Sequence, residues 1–428
     1  MMSGRTSFKF SLFLACAASL AASDADTLLL RNVDVYPMIG PRLTAASILV
    51  QDGKIALIGA KIAAPKGVRI VDGQGLRAYP GLIDSGTELG LAEIADLRVT
   101  VDSGELGAFM PQLRALTAVN PDSEHFRVVR ANGITSVVTF PSTENGERNG
   151  GERQIVAGQA ALIHAAGWTW EEMAVNGSAA LLLIFPSLPV NQPGFAEAKR
   201  TYDREIQQID EFFDQARRYE RAKTAGGSNF KIDLKLEAML PVLDSRLPVA
   251  ISAEREPAIS DAIEFAGRQK IRMILLAPRE LGKAAAKLKE RNIPVVLGRT
   301  LDLPLHEDDP YDSAFTLPAQ AWRAGLKIAF GTFDNEFVRD LPYNAATAVA
   351  YGLPYEEALK AVTINAAEIW GAGGQIGSLE KGKWADMMLT DGDPFETRTQ
   401  IKALFIKGRE VDLKNRQTQL YEKYLNRP

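Results

Sequence analysis

Histidine and cysteine are almost missing from this chain, with 3 and 1 in 428 residues. A single cysteine cannot close an intramolecular disulfide, and it rules out a Cys-x-x-Cys redox pair or a cysteine-built zinc knuckle. Three histidines (His125, His164 and His306) cannot supply a metal centre made from four imidazoles. An excess of positive charge is missing too. The net charge of −4 argues against a general nucleic-acid binder, which carries a basic surplus. No apolar run reaches the roughly 18 residues that a membrane-spanning helix needs. No Gly-x-Gly-x-x-Gly follows an early strand, so the dinucleotide-binding fingerprint is lacking.

What is present is the composition of an ordinary globular protein, 46% hydrophobic and 24% charged, long enough for one large α/β unit and a smaller one. The N-terminus reads as an export signal over residues 1–23. Arg5 and Lys9 precede the apolar stretch Phe10–Leu20, and Ala21-Ala22-Ser23 offers small residues for cleavage before Asp24. The expected location is periplasmic or secreted, and cleavage after Ser23 leaves a mature chain without cysteine. Cys16 lies inside the signal. Phe13 stands where a lipoprotein site carries Leu, so the choice between lipidation and simple cleavage stays open.

Short strands punctuated by turns fill the first part of the mature chain: Leu28–Val35, Ala46–Val50, Lys54–Ile58 and Val68–Asp72, with Asp52-Gly53 and Asp72-Gly73 as breakers. The same texture returns at Ala385–Thr390 and Ile401–Ile406. The middle alternates apolar strands with amphipathic helices, which is the rhythm of a parallel sheet with crossovers. Ile134–Phe140, Ala179–Phe185, Leu247–Ser252, Arg272–Leu276, Ile293–Leu297 and Leu326–Gly331 read as strands. Glu205–Lys223, Pro257–Arg268 and Arg279–Arg291 read as helices. His125 falls on a short helix capped by Asp122 or Ser123. His164 sits in "GQAALIHAAGW", an apolar helix-like stretch, and Glu144–Glu152 reads as a mobile loop. The expected fold is α/β: a (β/α)8 TIM-like barrel over 81–374, a small β-sandwich from both chain ends (24–80 plus 375–412), and a C-terminal tail over 413–428.

Three blocks carry a family resemblance: "ASILVQDGKIALIG" (Ala46–Gly59), "AYPGLIDSG" (Ala78–Gly86) and "EALKAVTINAAEIWG…IGSLEKGKWADMMLTDGDPF" (Glu357–Phe395). Together they resemble an amidohydrolase of the imidazolonepropionase-like group over nearly the whole mature chain. The resemblance implies a hydrolase acting on non-peptide C–N bonds, such as those of cyclic amides. It also implies a metal held by histidines and an aspartate at the barrel strand ends. At the positions where "PGLID" leads into His-x-His, this chain has Gly86 and Glu88. The strand-five position corresponds to Ser252, and the strand-six position to Leu276 or Ala277. The strand-eight aspartate that follows Gly-Thr is displaced by Phe333, so that Asp334 comes one residue late. No metal ligand and no cofactor are therefore expected, and a divergent member without the metal-binding histidines is the reading.

Glu88 and Asp334 remain as candidate catalytic carboxylates. Ser252, Arg255, Arg339 and His164 are candidate substrate-binding groups, with either arginine suited to clamping a carboxylate. Asp84 reads as structural. Ser85 and Ser252 lack the Gly-x-Ser-x-Gly setting of a nucleophile. The run His306-Glu307-Asp308-Asp309 reads as a solvated acidic loop or a cation site. A small-molecule ligand is the expected partner, with no nucleic acid and no integral membrane segment. Two alternatives stand beside hydrolysis that is metal-free or uses an atypical metal site. One is an inactive small-molecule-binding protein. The other is a non-catalytic subunit that forms a homo- or hetero-oligomer with a metal-containing relative.

Overall fold

The computed structural model describes residues 27–94, 97–141, 154–188, 194–226, 230–305 and 308–427. The segment 1–23 expected to be an export signal, the stretch 144–152 and His306 with Glu307 lie outside the described residues.

Two sheets organise the chain. The N-terminal strands β1 (Leu28–Val35), β2 (Leu43–Gln51), β3 (Lys54–Gly59), β4 (Arg69–Asp72) and β5 (Arg77–Pro80) join the C-terminal strands β14 (Met387–Thr390), β15 (Ile401–Ile406) and β16 (Arg409–Glu410). Their order is β16-β15-β14-β5-β1-β2-β3, with β4 also against β1. The expected sandwich is thus one continuous hydrogen-bonded sheet. Its seam is the antiparallel β5–β14 ladder, with Ala78 opposite Leu389. Leu30, Val33, Ile48, Val50, Met387, Leu389 and Phe405 fill its core from both ends of the chain.

The second sheet is the barrel: β6 (Leu82–Thr87), β7 (Ile134–Thr139), β8 (Val156–His164), β9 (Ala174–Ile184), β10 (Val249–Ser252), β11 (Met273–Leu276), β12 (Val295–Leu297) and β13 (Ile328–Phe330), adjacent in chain order. The stretch read as helix-like around His164 is a strand. A continuous apolar run buried on both faces has no period that separates helix from strand, and every residue of β8 is buried. β8 also departs from a uniformly parallel barrel. It pairs antiparallel with β7 (Thr139 opposite Ala161) and with β9 (Ala160 opposite Ala180). Antiparallel neighbours need no crossover helix, so the helical shell begins in earnest after β9.

That shell includes Phe195–Ala225, Leu234–Leu243, Glu256–Gln269, Ala284–Glu290, Ser313–Arg323, Leu341–Ala350 and Tyr355–Ala361. The longest helix buries Ile209, Phe212, Phe213, Ala216 and Tyr219 along one face. The helix expected from Arg279 starts only at Ala284, after Gly282 takes a φ of +46°. Ser123 caps the helix bearing His125 by accepting from its backbone N–H at 3.3 Å. Inside the barrel, Val138, Leu162, Ala180, Ala250, Ile274, Val296 and Ala329 pack with Trp370 and the helix Ile364–Ile369. Asn365 Nδ2 donates to the Ile328 carbonyl at 3.2 Å, so this helix sits where β13 begins and closes the base. Among the described residues no helix is long and apolar enough to cross a membrane.

Candidate functional site

In a barrel of this kind the loops after the strands form the open face. Here a cavity of about 280 Å³ lies at that face. Phe140, Leu182, Ile184, Leu276, Leu297 and Phe333 give it an apolar floor. Glu88, Glu254, Arg279, Arg299 and Asp302 bring charge to its wall, and Ser252 and Thr332 add hydroxyls. A few polar groups on an apolar lining are the usual make-up of a small-molecule site.

The first and last strands of the barrel meet beneath this cavity through side chains. Asp84 is fully buried. Its Oδ1 accepts from the backbone N–H of Gly86 at 2.9 Å and of Thr332 at 3.1 Å, and its Oδ2 accepts from the Thr332 hydroxyl at 2.7 Å. The backbone N–H of Phe333 donates to the Gly86 carbonyl at 2.7 Å. Burial pushes the Asp84 carboxyl up to about 7. The Thr332 hydroxyl and the two backbone N–H groups oppose that rise, and nearby Asp334 adds to it. Asp84 therefore serves as the clasp of the barrel, in line with its structural reading.

Phe333 is held with φ +49°, a left-handed conformation that costs a bulky residue on the order of 1–3 kcal/mol. The ring packs directly on Gly86: a Cβ placed there would stand 2.6 Å from Phe333 Cε1. Gly331 completes the close approach, since a Cβ there would lie 2.9 Å from the Gly86 nitrogen. Phe140 lies alongside, its ring centroid 6.5 Å from that of Phe333.

Of the residues singled out from sequence, Glu88 and Ser252 line the cavity together. Asp334 is next to it but engaged. Its Oδ1 accepts from the backbone N–H of Glu336 at 2.6 Å and of Phe337 at 3.1 Å, and its Oδ2 faces Arg299 Nη1 at 3.6 Å. Arg255 is the N-cap residue of the helix Glu256–Gln269 and is not among the groups lining the cavity. Arg339 donates to the Glu336 carbonyl at 3.2 Å and lies over the Phe337 ring, also outside the lining. His164 is at the opposite end of the barrel, because β8 runs backwards and sets it beside Ser136 near the start of β7. There it is buried, with Nε2 2.8 Å from Asp386 Oδ2, a bond that ties the barrel to the first sheet.

Sequence reasoning passed over Glu254, Arg279, Arg299 and Asp302. All four follow the ends of β10, β11 or β12, where the rule that singled out Arg255 applies equally. Arg279 is committed to Asp302, 2.5 Å away. Arg299 meets Asp334 only at 3.6 Å, beyond good hydrogen-bond length, and lies 5.6 Å from the Phe337 ring centroid. It is the cation better placed to receive a ligand anion or a developing oxyanion.

Comparison with known proteins bears on the same architecture. Amidohydrolase tasK of Hapsidospora irregularis is 24% identical over 401 residues, 84% of this chain but 39% of that protein. An imidazolonepropionase of Syntrophobacter fumaroxidans is 43% identical over 72 residues, 16% of this chain and 17% of that protein. The chain thus spans less than half the length of either curated relative. An amidohydrolase structure from Thermotoga maritima MSB8 superposes with a TM-score of 0.78 at 27% identity, covering 90% of this chain and 99% of that one. The sequence model of the amidohydrolase family matches residues 131–411, which take in seven of the eight barrel strands, the cavity wall beyond β6, and the three C-terminal strands of the first sheet. By that match and by its fold, the chain belongs to the amidohydrolase family.

Proposed function

We propose that this chain hydrolyses small, non-peptide C–N bonds, those of cyclic amides among them, without the metal centre of its family. The observation that carries the reading is the Phe333 ring resting on Gly86. It fills the space into which a first-strand histidine would project. The family metal requires imidazole and carboxylate donors converging at the strand ends. At the corresponding positions this chain has a glycine, Glu88, a hydroxyl at Ser252 and aliphatic carbon at Leu276 and Ala277. These residues do not fit the metal. The shared stretch with an imidazolonepropionase supports cyclic amides as the first substrates to try.

Glu88, half-buried at the cavity wall, takes a proton from water as the water oxygen attacks the carbonyl carbon. The Arg299 guanidinium stabilises the oxygen on which negative charge develops. The C–N bond then breaks, and Glu88 returns the proton to the leaving nitrogen. Turnover of a cyclic-amide panel is expected to survive exhaustive chelation, and Glu88→Gln is expected to lower kcat by about a hundredfold or more. Activity that vanishes on chelation and returns with zinc would refute the metal-free reading. A full rate in Glu88→Gln would remove the base. Ligand binding with no turnover of any substrate would instead identify an inactive binding protein.

Arg299→Met is expected to weaken ligands that bear a carboxylate by about tenfold and to leave their neutral amide analogues unchanged. Calorimetry with N-acetyl amino acids and their amides checks this, and equal losses for both would remove the anion-binding role. Export completes the proposal: the mature protein recovered from outside the cytoplasm is expected to begin at Asp24, which N-terminal sequencing reads directly.

A further inference from the structure

The C-terminal helix Arg416–Leu425 is well begun and yet buries none of its residues. Asn415 and Thr418 form a reciprocal capping box: the Asn415 side chain accepts from Thr418 N–H at 2.9 Å, and the Thr418 hydroxyl accepts from Asn415 N–H at 3.0 Å. Among the described α-helices this one alone buries no residue. Ten residues are too few for a stable helix in water without packing, so its form implies a surface that covers it.

Its side chains say what kind of surface. At 100° per residue, Leu420, Tyr424, Tyr421 and Leu425 fall on one stripe, which Gln417 joins in the first turn, while Glu422, Gln419, Lys423 and Arg416 fall on the other side. The four apolar residues are 40%, 59%, 67% and 67% exposed, respectively. Lys414, Arg416, Lys423 and Arg427 flank or share this helix, and Glu422 is the one acid between them. In a chain of net charge −4 this segment is therefore a local basic patch. We infer that the helix docks on a membrane surface bearing anionic lipid. The Tyr and Leu side chains would enter the headgroup boundary, and the lysines and arginines would face lipid phosphates.

Charge and area favour lipid over a second copy of the chain. Two such helices brought together would set basic patch against basic patch. A single ten-residue face also falls well short of the roughly 800 Å² per partner of a standard protein interface. Tyrosine, apolar along its ring and polar at its tip, suits a boundary between water and hydrocarbon.

The test is sedimentation of the full chain with vesicles of phosphatidylcholine alone and with phosphatidylglycerol added. Binding is expected only where phosphatidylglycerol is present. It should fall about tenfold in Leu420→Ser/Tyr424→Ser and fall again in 0.5 M salt, which screens the lipid charge. Circular dichroism and thermal melting should show the double variant still folded, because neither replaced side chain is part of a buried core. Arg416→Glu/Lys423→Glu is expected to lose the preference for anionic lipid. No vesicle binding by the unaltered chain overturns the inference. So does binding that persists in the double variant, which would place it elsewhere, as in the apolar stretch 10–20. Light scattering that finds a dimer abolished by the double variant also overturns it, in favour of a second copy.

Discussion

Gly86→Ala is expected to lower the unfolding free energy by about 1–3 kcal/mol, the usual cost of overpacking a filled site, and Gly86→His by more. The new Cβ would stand 2.6 Å and 2.8 Å from two carbons of the Phe333 ring, closer than real contacts allow. The Phe333 backbone is pinned by the bond from its N–H to the Gly86 carbonyl, so relief requires a new rotamer of the ring. In a Phe333→Gly background the same substitution should cost little, because the obstacle is gone and glycine adopts φ +49° without strain. Denaturant unfolding of the four proteins of this cycle gives the coupling directly. Additive losses would show that Gly86 is needed for its own backbone, independent of the phenyl ring.

The second large effect concerns pH. The Asp84 carboxyl titrates near 3.8 in an unfolded chain and is pushed up to about 7 by burial in the native one. Between these values the folded state binds the extra proton, so stability contributed by this group falls as pH rises. The contribution is complete below pH 4 and gone above pH 7. A shift of that size corresponds to roughly 4 kcal/mol at full extent. Asp84→Asn mimics the protonated form: its oxygen can accept from Gly86 and Thr332 N–H while its amide faces the Thr332 hydroxyl. It should match the native protein near pH 4 and exceed it at pH 8. Chemical denaturation across that range checks the crossing, and parallel curves for the two proteins would sink the assignment. Asp84→Ala, which leaves two buried N–H groups without an acceptor, should be destabilised at every pH.

Much of this architecture could be read from residues alone, because its signals are local. β1 falls at Leu28–Val35, the bounds read for it from the sequence. The barrel strands after residue 245 follow from short apolar runs separated by helical stretches, and the helix face of Ile209, Phe212 and Phe213 from a 3.6-residue period. β8 escaped because nothing in "VAGQAALIH" marks direction or period. Its reversal carried His164 from an expected pocket wall to the barrel base. The site was half legible. Glu88 and Ser252 follow from the strand ends, whereas the commitments of Asp334 to two N–H groups and of Arg279 to Asp302 depend on how loops turn. Loop conformation is where one sequence constrains least. The Phe333–Gly86 contact joins residues almost 250 positions apart, and no periodicity announces it.

The seam between β5 and β14 joins residues near 80 to residues near 390, which has a consequence for the chain while it is being made. A ribosome delivers the first five strands long before their last partners exist. Until then β5 presents an open row of backbone donors and acceptors to solvent, a template for any stray strand. A transcript cut short anywhere between the barrel and residue 387 would yield a protein with most of its barrel built and this edge still bare. Such a product invites proteolysis or aggregation, so the closing strands act as a seal on complete synthesis.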